Sequence, residues 1–255
     1  MLSIDKSSPR KIWIYLLSNV IWIIEKVLFY PKLTRAYKEL NLSQPQQRSL
    51  LIFDVGANKG QSIKFFLNLY PDSAIYAFEP SAKIFKTLEM LKKKLLSQEV
   101  SIFQIGMGNF QGTMNFYESI LDETSTFVLP NQSSIYLKRK NRILFQKPRN
   151  AFIHTIAKMI TFDEFCRDKK TGYVDILKID VEGFEFEVLS GANQALKRGD
   201  INIIQIEGHK DDMREDNLSQ IHKLLIAHKY VKVKEIKHPF GNFVEILYQN
   251  ARTKA

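Results

Sequence analysis

Between residues 50 and 250 the apolar positions follow two alternating rhythms. Residues 50–55, 74–78, 100–105, 175–181 and 201–207 are short apolar runs of strand length. Between them lie stretches with helical spacing. Residues 60–70 form one, closed by Pro71-Asp72. Residues 81–96 form another, with Ser81 as N-cap. Residues 214–228 place Leu218, Ile221, Leu224 and Leu225 on one face. Two last runs, 230–236 and 243–248, are joined by His238-Pro239-Phe240-Gly241-Asn242, which reads as a hairpin-type turn. Strands separated by helices imply βαβ units and a parallel sheet, and the closing pair implies one antiparallel strand. The expectation is an α/β fold with a mostly parallel seven-stranded sheet, helices on both faces and one antiparallel strand near the C-terminus.

Two segments break this pattern. Residues 12–30 are the most apolar stretch, interrupted by Ser18, Asn19, Glu25 and Lys26, which share one narrow helical stripe. A spanning helix wants about 20 apolar residues, and the Glu-Lys pair cuts this run short. No small-residue cleavage site follows it. Three readings stay open: a helix packed on the domain, a helix in a membrane interface anchored by Trp13, Trp22 and basic residues, or a span. Residues 41–48 are polar, contain Pro45 and read as a linker. The expected organisation is an N-terminal helical extension and linker over 1–48 and a catalytic domain over 49–250. An insertion over about 107–160 interrupts that domain. Within it, residues 113–117 have strand character, and residues 131–158 hold seven Lys or Arg and no acid. It reads as a lid that attracts an anionic substrate or as a solvated surface loop.

Bulk composition narrows the class. The chain has 255 residues, 45% hydrophobic and 25% charged, which excludes a wholly disordered protein. The single cysteine, Cys166, excludes an intrachain disulfide and lies among aromatic residues with no activating neighbour, so it reads as inert. A cytoplasmic protein is expected, and peripheral membrane contact through residues 12–30 is one of the three open readings. The net charge of +10 bears on steering and solubility rather than on reaction. Tyr136, Phe145 and Phe152 are too sparse among the basic residues for a stacking platform, so no nucleic-acid partner is expected.

The chemistry is concentrated at the end of the first strand. In an open parallel sheet, ligands bind beyond the carboxyl ends of the strands. Asp54-Val55-Gly56-Ala57-Asn58-Lys59-Gly60 supplies two glycines, and an asparagine suited to left-handed backbone. A pyrophosphate at this turn would be repelled by Asp54. S-adenosylmethionine, with an ammonium, a sulfonium and no phosphate, suits an acid there. Glu79, at the end of the second strand, stands where an acid accepts hydrogen bonds from ribose hydroxyls. Asp54, Gly56, Asn58, Gly60 and Glu79 are therefore the expected cofactor residues. The rival readings are a nicotinamide-dependent oxidoreductase, whose Gly-x-Gly-x-x-Gly turn is missing here, and a non-catalytic membrane- or nucleic-acid-binding module.

These motifs, with Phe78-Glu79-Pro80, Thr161-Phe162-Asp163-Glu164-Phe165 and Leu177-Lys178-Ile179-Asp180-Val181-Glu182-Gly183 followed by Glu185, Leu189 and Gly191-Ala192, resemble the FkbM family of methyltransferases. The likeness covers roughly residues 50–207. It implies a Rossmann-like class I methyltransferase fold and S-adenosylmethionine-dependent O-methylation of a hydroxyl on a glycan or another small molecule. It departs from the family at Gly106-Met107-Gly108-Asn109, on the adenine side of the cofactor. Residues 1–48 have no counterpart in it.

An alcohol must lose its proton as it is methylated, so a base within hydrogen-bond reach is expected. Asp180 and Glu182, at the end of the fourth strand, and His209, after the fifth, are the candidates. Asp180 would approach the cofactor and Glu182 would orient or deprotonate the acceptor. Lys178 shares a strand face with Asp180, and a structural ion pair with Asp180 or Glu182 is the competing reading. His154 reads as a surface histidine of the insertion. A divalent metal on Asp180, Glu207 and His209 has no diagnostic spacing, and no metal is assigned.

Overall fold

A computed structural model describes residues 20, 24–40, 42, 48–95, 99–119, 125–128, 152–209, 218–239 and 243–254. The chain enters through one π-helical turn, Glu25–Phe29, that runs into α1 (Tyr30–Glu39). There follow β1 (Leu51–Val55), α2 (Gln61–Leu69), β2 (Ala74–Phe78), α3 (Ala82–Lys94) and β3 (Val100–Phe103). Next come β4 (Gly106–Met107), β5 (Gly112–Ser119), β6 (Phe152–Ile160) and α4 (Phe162–Lys169). The domain closes with β7 (Val174–Ile179), α5 (Glu185–Ser190), α6 (Asn193–Arg198), β8 (Ile201–His209), α7 (Leu218–Ala227), β9 (Tyr230–Lys237) and β10 (Phe243–Asn250).

The main sheet has seven strands in the order β3-β2-β1-β7-β8-β10-β9. Only β10 runs antiparallel to its neighbours. This is the mostly parallel seven-stranded sheet with one antiparallel strand that the alternating pattern led to expect. Neighbouring residues on each strand go to opposite faces. Phe53, Leu177 and Ile204 pack with Phe165, Val188, Leu196 and Leu225 on one side. Ile52, Ile176 and Ile203 pack with Leu33, Ala36, Ile63, Phe66 and Leu88 on the other. Helix α1 is therefore a layer of the domain core, not a detached extension. Pro31 does not stop the helix, because proline in the first turn needs no amide partner there.

The insertion holds a second sheet, β4-β6-β5. Its hydrophobic face joins Phe116, Ala157 and Met159 to Phe127 and Phe184. The stretch 129–151, with most of the basic residues, lies outside the described residues, as do residues 12–19 with Trp13 and residues 21–23 with Trp22. Among the described residues no helix is long and apolar enough to cross a membrane. Cys166 is buried on α4, and burial pushes its thiol up to about 11, which fits an inert core role.

Helix α4 starts in a reciprocal cap. The Glu164 backbone N–H donates to Thr161 Oγ1 at 3.1 Å, and the Thr161 N–H donates back to Glu164 Oε2 at 3.3 Å. Asp163 accepts from the Gln194 and Ala195 N–H groups at 2.8 and 2.9 Å and so caps the start of α6. The Thr161–Phe165 motif thus acts through helix caps and the core, away from the ligand cleft.

Candidate active site

Strand β1 delivers the chain into a turn with three residues at positive φ: Gly56 at 82°, Asn58 at 47° and Gly60 at 82°. Sterics enforce the two glycines. A Cβ on Gly56 would lie 1.8 Å from the Asp180 carbonyl oxygen, and one on Gly60 would lie 2.3 Å from Leu91 Cδ2. Removing the side chain at Gly56 lets the ends of β1 and β7 close on each other. The Asn58 N–H donates to Glu79 Oε2 at 3.0 Å, and the Ser81 N–H donates to Glu79 Oε1 at 2.9 Å. The Glu79 carboxylate is thereby fixed at the end of β2. Burial pushes this carboxyl up to about 7; the two N–H donors pull the other way, and Asp54 and Glu118 add repulsion.

Gly56, Asn58 and Glu79 line a cavity that continues past Phe78, Ile105 and Met107 at one end. At the other end it reaches Asp180, Glu182 and Glu207. Phe116 of the second sheet and Phe127, packed against it, roof the cavity. The departure at Gly106 and Gly108 has its reason here. A Cβ at Gly106 would stand 2.6 Å from Phe127, and one at Gly108 would stand 2.8 Å from Met159 and 2.9 Å from Phe184. The glycines let the roof sit down on the sheet. These surroundings fit a nucleoside with an apolar ring at one end and a cation at the other. Glu79 stands between them with lone pairs available to a diol.

The predicted residues divide into two groups. Gly56, Asn58, Glu79, Asp180 and Glu182 line this cavity. Asp54 does not. Its carboxylate is fully enclosed on the α1 side of the sheet, accepts a short hydrogen bond from Ser62 Oγ and meets Lys178 Nζ at 3.2 Å. Lys178 also donates to Asp180 Oδ2 at 3.0 Å. Burial alone would pull the ammonium down, but Asp180, Asp54 and Glu245 outweigh it and hold Lys178 well above its ordinary value. Asp54 therefore shapes the site through Lys178. Gly60 acts through its fit against Leu91. Glu182 has φ 59°, an uncommon backbone state for a side-chain-bearing residue, and its carbonyl accepts from Thr126 Oγ1 at 2.8 Å. His209 ends β8 opposite Phe243, and its side chain lies outside the described residues. His154 is exposed on β6 beside Tyr117.

The structure brings together side chains whose grouping was not anticipated from the sequence. Oxygens of Asp180, Glu182 and Glu207 lie within 4.8 Å of one another. Burial, then the charges of Asp180, Glu182 and Glu245, push Glu207 well above the ordinary carboxylate range. Beyond Asp180 and Glu207 a second cavity opens under the N-terminal helix, lined by Glu25, Phe29, Tyr30, His238 and Glu245. It shares Gly56, Asn58, Asp180 and Glu207 with the first.

A family model described as "Methyltransferase FkbM domain" matches residues 54–232, spanning the turn, both acids and the β7 motif. The chain belongs to the FkbM methyltransferase family. Among curated relatives, "Methyltransferase 1" of Beauveria bassiana is 27% identical over 154 residues, covering 55% of this chain and 57% of the relative. "2-O-methyltransferase NoeI" of Sinorhizobium fredii is 22% identical over 152 residues, covering 58% of this chain and 59% of the relative. The matches thus span less than two thirds of either relative's length. The crystal structure of methyltransferase FkbM from Methylobacillus flagellatus superposes with a TM-score of 0.56 at 14% identity, covering 85% of this chain and 47% of that one. It has the same fold. The nicotinamide oxidoreductase reading has no support in these relationships.

Proposed function

We propose that this FkbM-family protein is an S-adenosylmethionine-dependent O-methyltransferase acting on a hydroxyl of a glycan or other small molecule. The observation that carries this reading is the cavity running from Glu79 to the Asp180–Glu182–Glu207 acids across the Gly56–Asn58 turn. The bound cofactor supplies a methyl group on a positively charged sulfur. Asn58 and Gly56 present backbone to it, Glu79 receives the ribose hydroxyls, and the acids at the far end face its cationic part. The relative named as a 2-O-methyltransferase supports a hydroxyl acceptor. Methyl transfer is an in-line displacement, so fixing the two partners in line supplies much of the rate.

The test is equilibrium binding of S-adenosylhomocysteine against NAD, followed by transfer of labelled methyl to a panel of glycans and small alcohols. Selective S-adenosylhomocysteine binding, weakened at least tenfold in Glu79→Ala, is expected. Selective binding of NAD would sink the reading.

Peripheral membrane contact is a second proposal. It is supported by exposed Val27 and Leu28 beside Lys26 and by Lys32 and Lys38 on the same helix. Sedimentation with anionic vesicles should fall in Val27→Glu/Leu28→Glu; unchanged sedimentation would remove it.

A further inference from the structure

Sheet register sets out one polar stripe beneath the N-terminal helix. Asp54 pairs with Lys178, Lys178 with Gln205, and Glu207 with Glu245. Ile52, Ile176, Ile203 and Leu247, each two residues from a member of this stripe, all pack on the α1 side. The polar side chains therefore share that face. Part of the stripe is bound internally. Tyr37 Oη donates to Gln205 Oε1, and Gln205 Nε2 donates to Glu245 Oε2 at 2.9 Å. The other Glu245 oxygen is turned to His238 Nε2, 3.7 Å away.

His238 is the unusual member. Its side chain is only 10% exposed. Nε2 is buried without a hydrogen-bond partner, 3.7 Å from Glu245 and 4.0 Å from Glu207. Nδ1 faces Glu25 at 4.0 Å. Phe29 stacks on the ring with centroids 3.8 Å apart, which sets its plane. A buried ring nitrogen left without a partner is costly. The cavity beside it is where a partner fits.

We propose that the cavity between the N-terminal helix and the ends of β7, β8 and β10 is the acceptor site, with His238 Nε2 taking the proton of the acceptor hydroxyl. This rests on the methyltransferase reading. The two cavities meet at Gly56, Asn58, Asp180 and Glu207, so a cofactor in the first has its reacting end at the mouth of the second. The acceptor oxygen forms the new bond to the methyl carbon, the carbon–sulfur bond breaks with its electron pair remaining on sulfur, and the hydroxyl proton passes to Nε2. The Glu25 and Glu245 carboxylates face the two ring nitrogens, 4.0 Å from Nδ1 and 3.7 Å from Nε2. Phe29 and Tyr30 add apolar surface beside this polar edge. The pair suits an uncharged ring compound with one apolar face and a hydroxyl-bearing edge. Four acids, Glu25, Asp180, Glu207 and Glu245, outnumber Lys178 and His238 there, which disfavours an anionic acceptor close to the reacting atoms.

The experiment uses the full chain, S-adenosylhomocysteine, labelled S-adenosylmethionine and paired methyl glycosides of neutral hexoses and of the matching uronic acids. The wild type should methylate neutral members in preference to uronic acids. His238→Gln should bind S-adenosylhomocysteine within threefold of wild type, lose at least about a hundredfold in kcat and lose the acidic limb of its kcat–pH profile. In the wild type, carbethoxylation of His238, mapped by peptide mass, should slow at least threefold with glycoside and S-adenosylhomocysteine present. This readout needs no variant. Unchanged kcat in His238→Gln, no protection of His238, or no neutral glycoside methylated would each overturn the proposal. Transfer that stops on chelation and returns with Mn²⁺, together with Mn²⁺ binding lost in His238→Gln, would also overturn it, by making the ring a metal ligand. Failure of S-adenosylhomocysteine to bind the wild type would instead remove the methyltransferase reading itself.

Discussion

Lys178 Nζ lies 3.2 Å from Asp54 Oδ1, between paired positions of β7 and β1, with both side chains almost wholly enclosed. Removing one partner of such a pair leaves the other charged and buried, which typically costs about 3–5 kcal/mol. Lys178→Met should lower stability by about that amount in urea unfolding. Asp54→Asn/Lys178→Met should recover part of it. Because the folded protein holds the Lys178 proton more tightly than the unfolded chain, the contribution of this group is complete below the ordinary lysine value. It fades as pH rises above that value towards the higher folded one. Wild-type melting should therefore decline at alkaline pH more steeply than that of the double variant.

Gly56→Ala should lose cofactor binding outright. The new Cβ would be driven into the Asp180 carbonyl, at a backbone φ of 82° that alanine disfavours by about 1–2 kcal/mol before any clash. Calorimetric titration with S-adenosylhomocysteine checks this, and binding within tenfold of wild type would contradict the packing account of the turn.

Glu79 predicts a pH dependence of the cofactor-free protein. Its carboxyl is raised to about 7 when folded, from an unfolded value near 4.5. Between those values the folded state binds more protons than the unfolded one. Stability should thus fall as pH rises through that window, by at most about 1.4 kcal/mol per unit from this group, and level off above it. Glu79→Gln should flatten the slope and melt higher than wild type at pH 8, while binding S-adenosylhomocysteine more weakly. A slope equal to wild type would show that Glu79 is not its source.

Leu33 on α1 is 2% exposed and packs in the same cluster as Ile52 and Ile203 of the central strands. Leu33→Ala should cost about 2–5 kcal/mol, seen as a lower denaturation midpoint for the whole domain. An unchanged midpoint would mean that the helix is not part of the cooperative unit.

Local chemistry made the turn legible. Positive φ at Gly56, Asn58 and Gly60 leaves a mark in residue type, and period two placed Lys178 and Asp180 on one face. What stayed hidden depends on register between distant strands. Nothing near Asp54 announces Lys178, which arrives from 124 residues on through the β1–β7 pairing. His238 reads as part of a hairpin turn until β10 aligns between β8 and β9 and brings it over Glu207 and Glu245. The fate of the N-terminal stretch was open because Glu25 and Lys26 interrupt its apolar run. The helical spacing of Leu33, Ala36 and Tyr37 beyond it was the available signal. The second sheet was half visible in residues 113–117; its partner β6 lies in a basic stretch that reads as loop.

The N-terminal helix carries two duties on neighbouring residues. Leu33, Ala36 and Tyr37 are anchored in the core, while Glu25, Phe29 and Tyr30 reach the second cavity. Phe29 takes part in both. With the second cavity as the proposed acceptor site, exchanging this helix for a foreign one would change acceptor preference and folding together. Redesign of selectivity is best confined to Glu25 and Tyr30, which leaves the buried anchors of the helix in place.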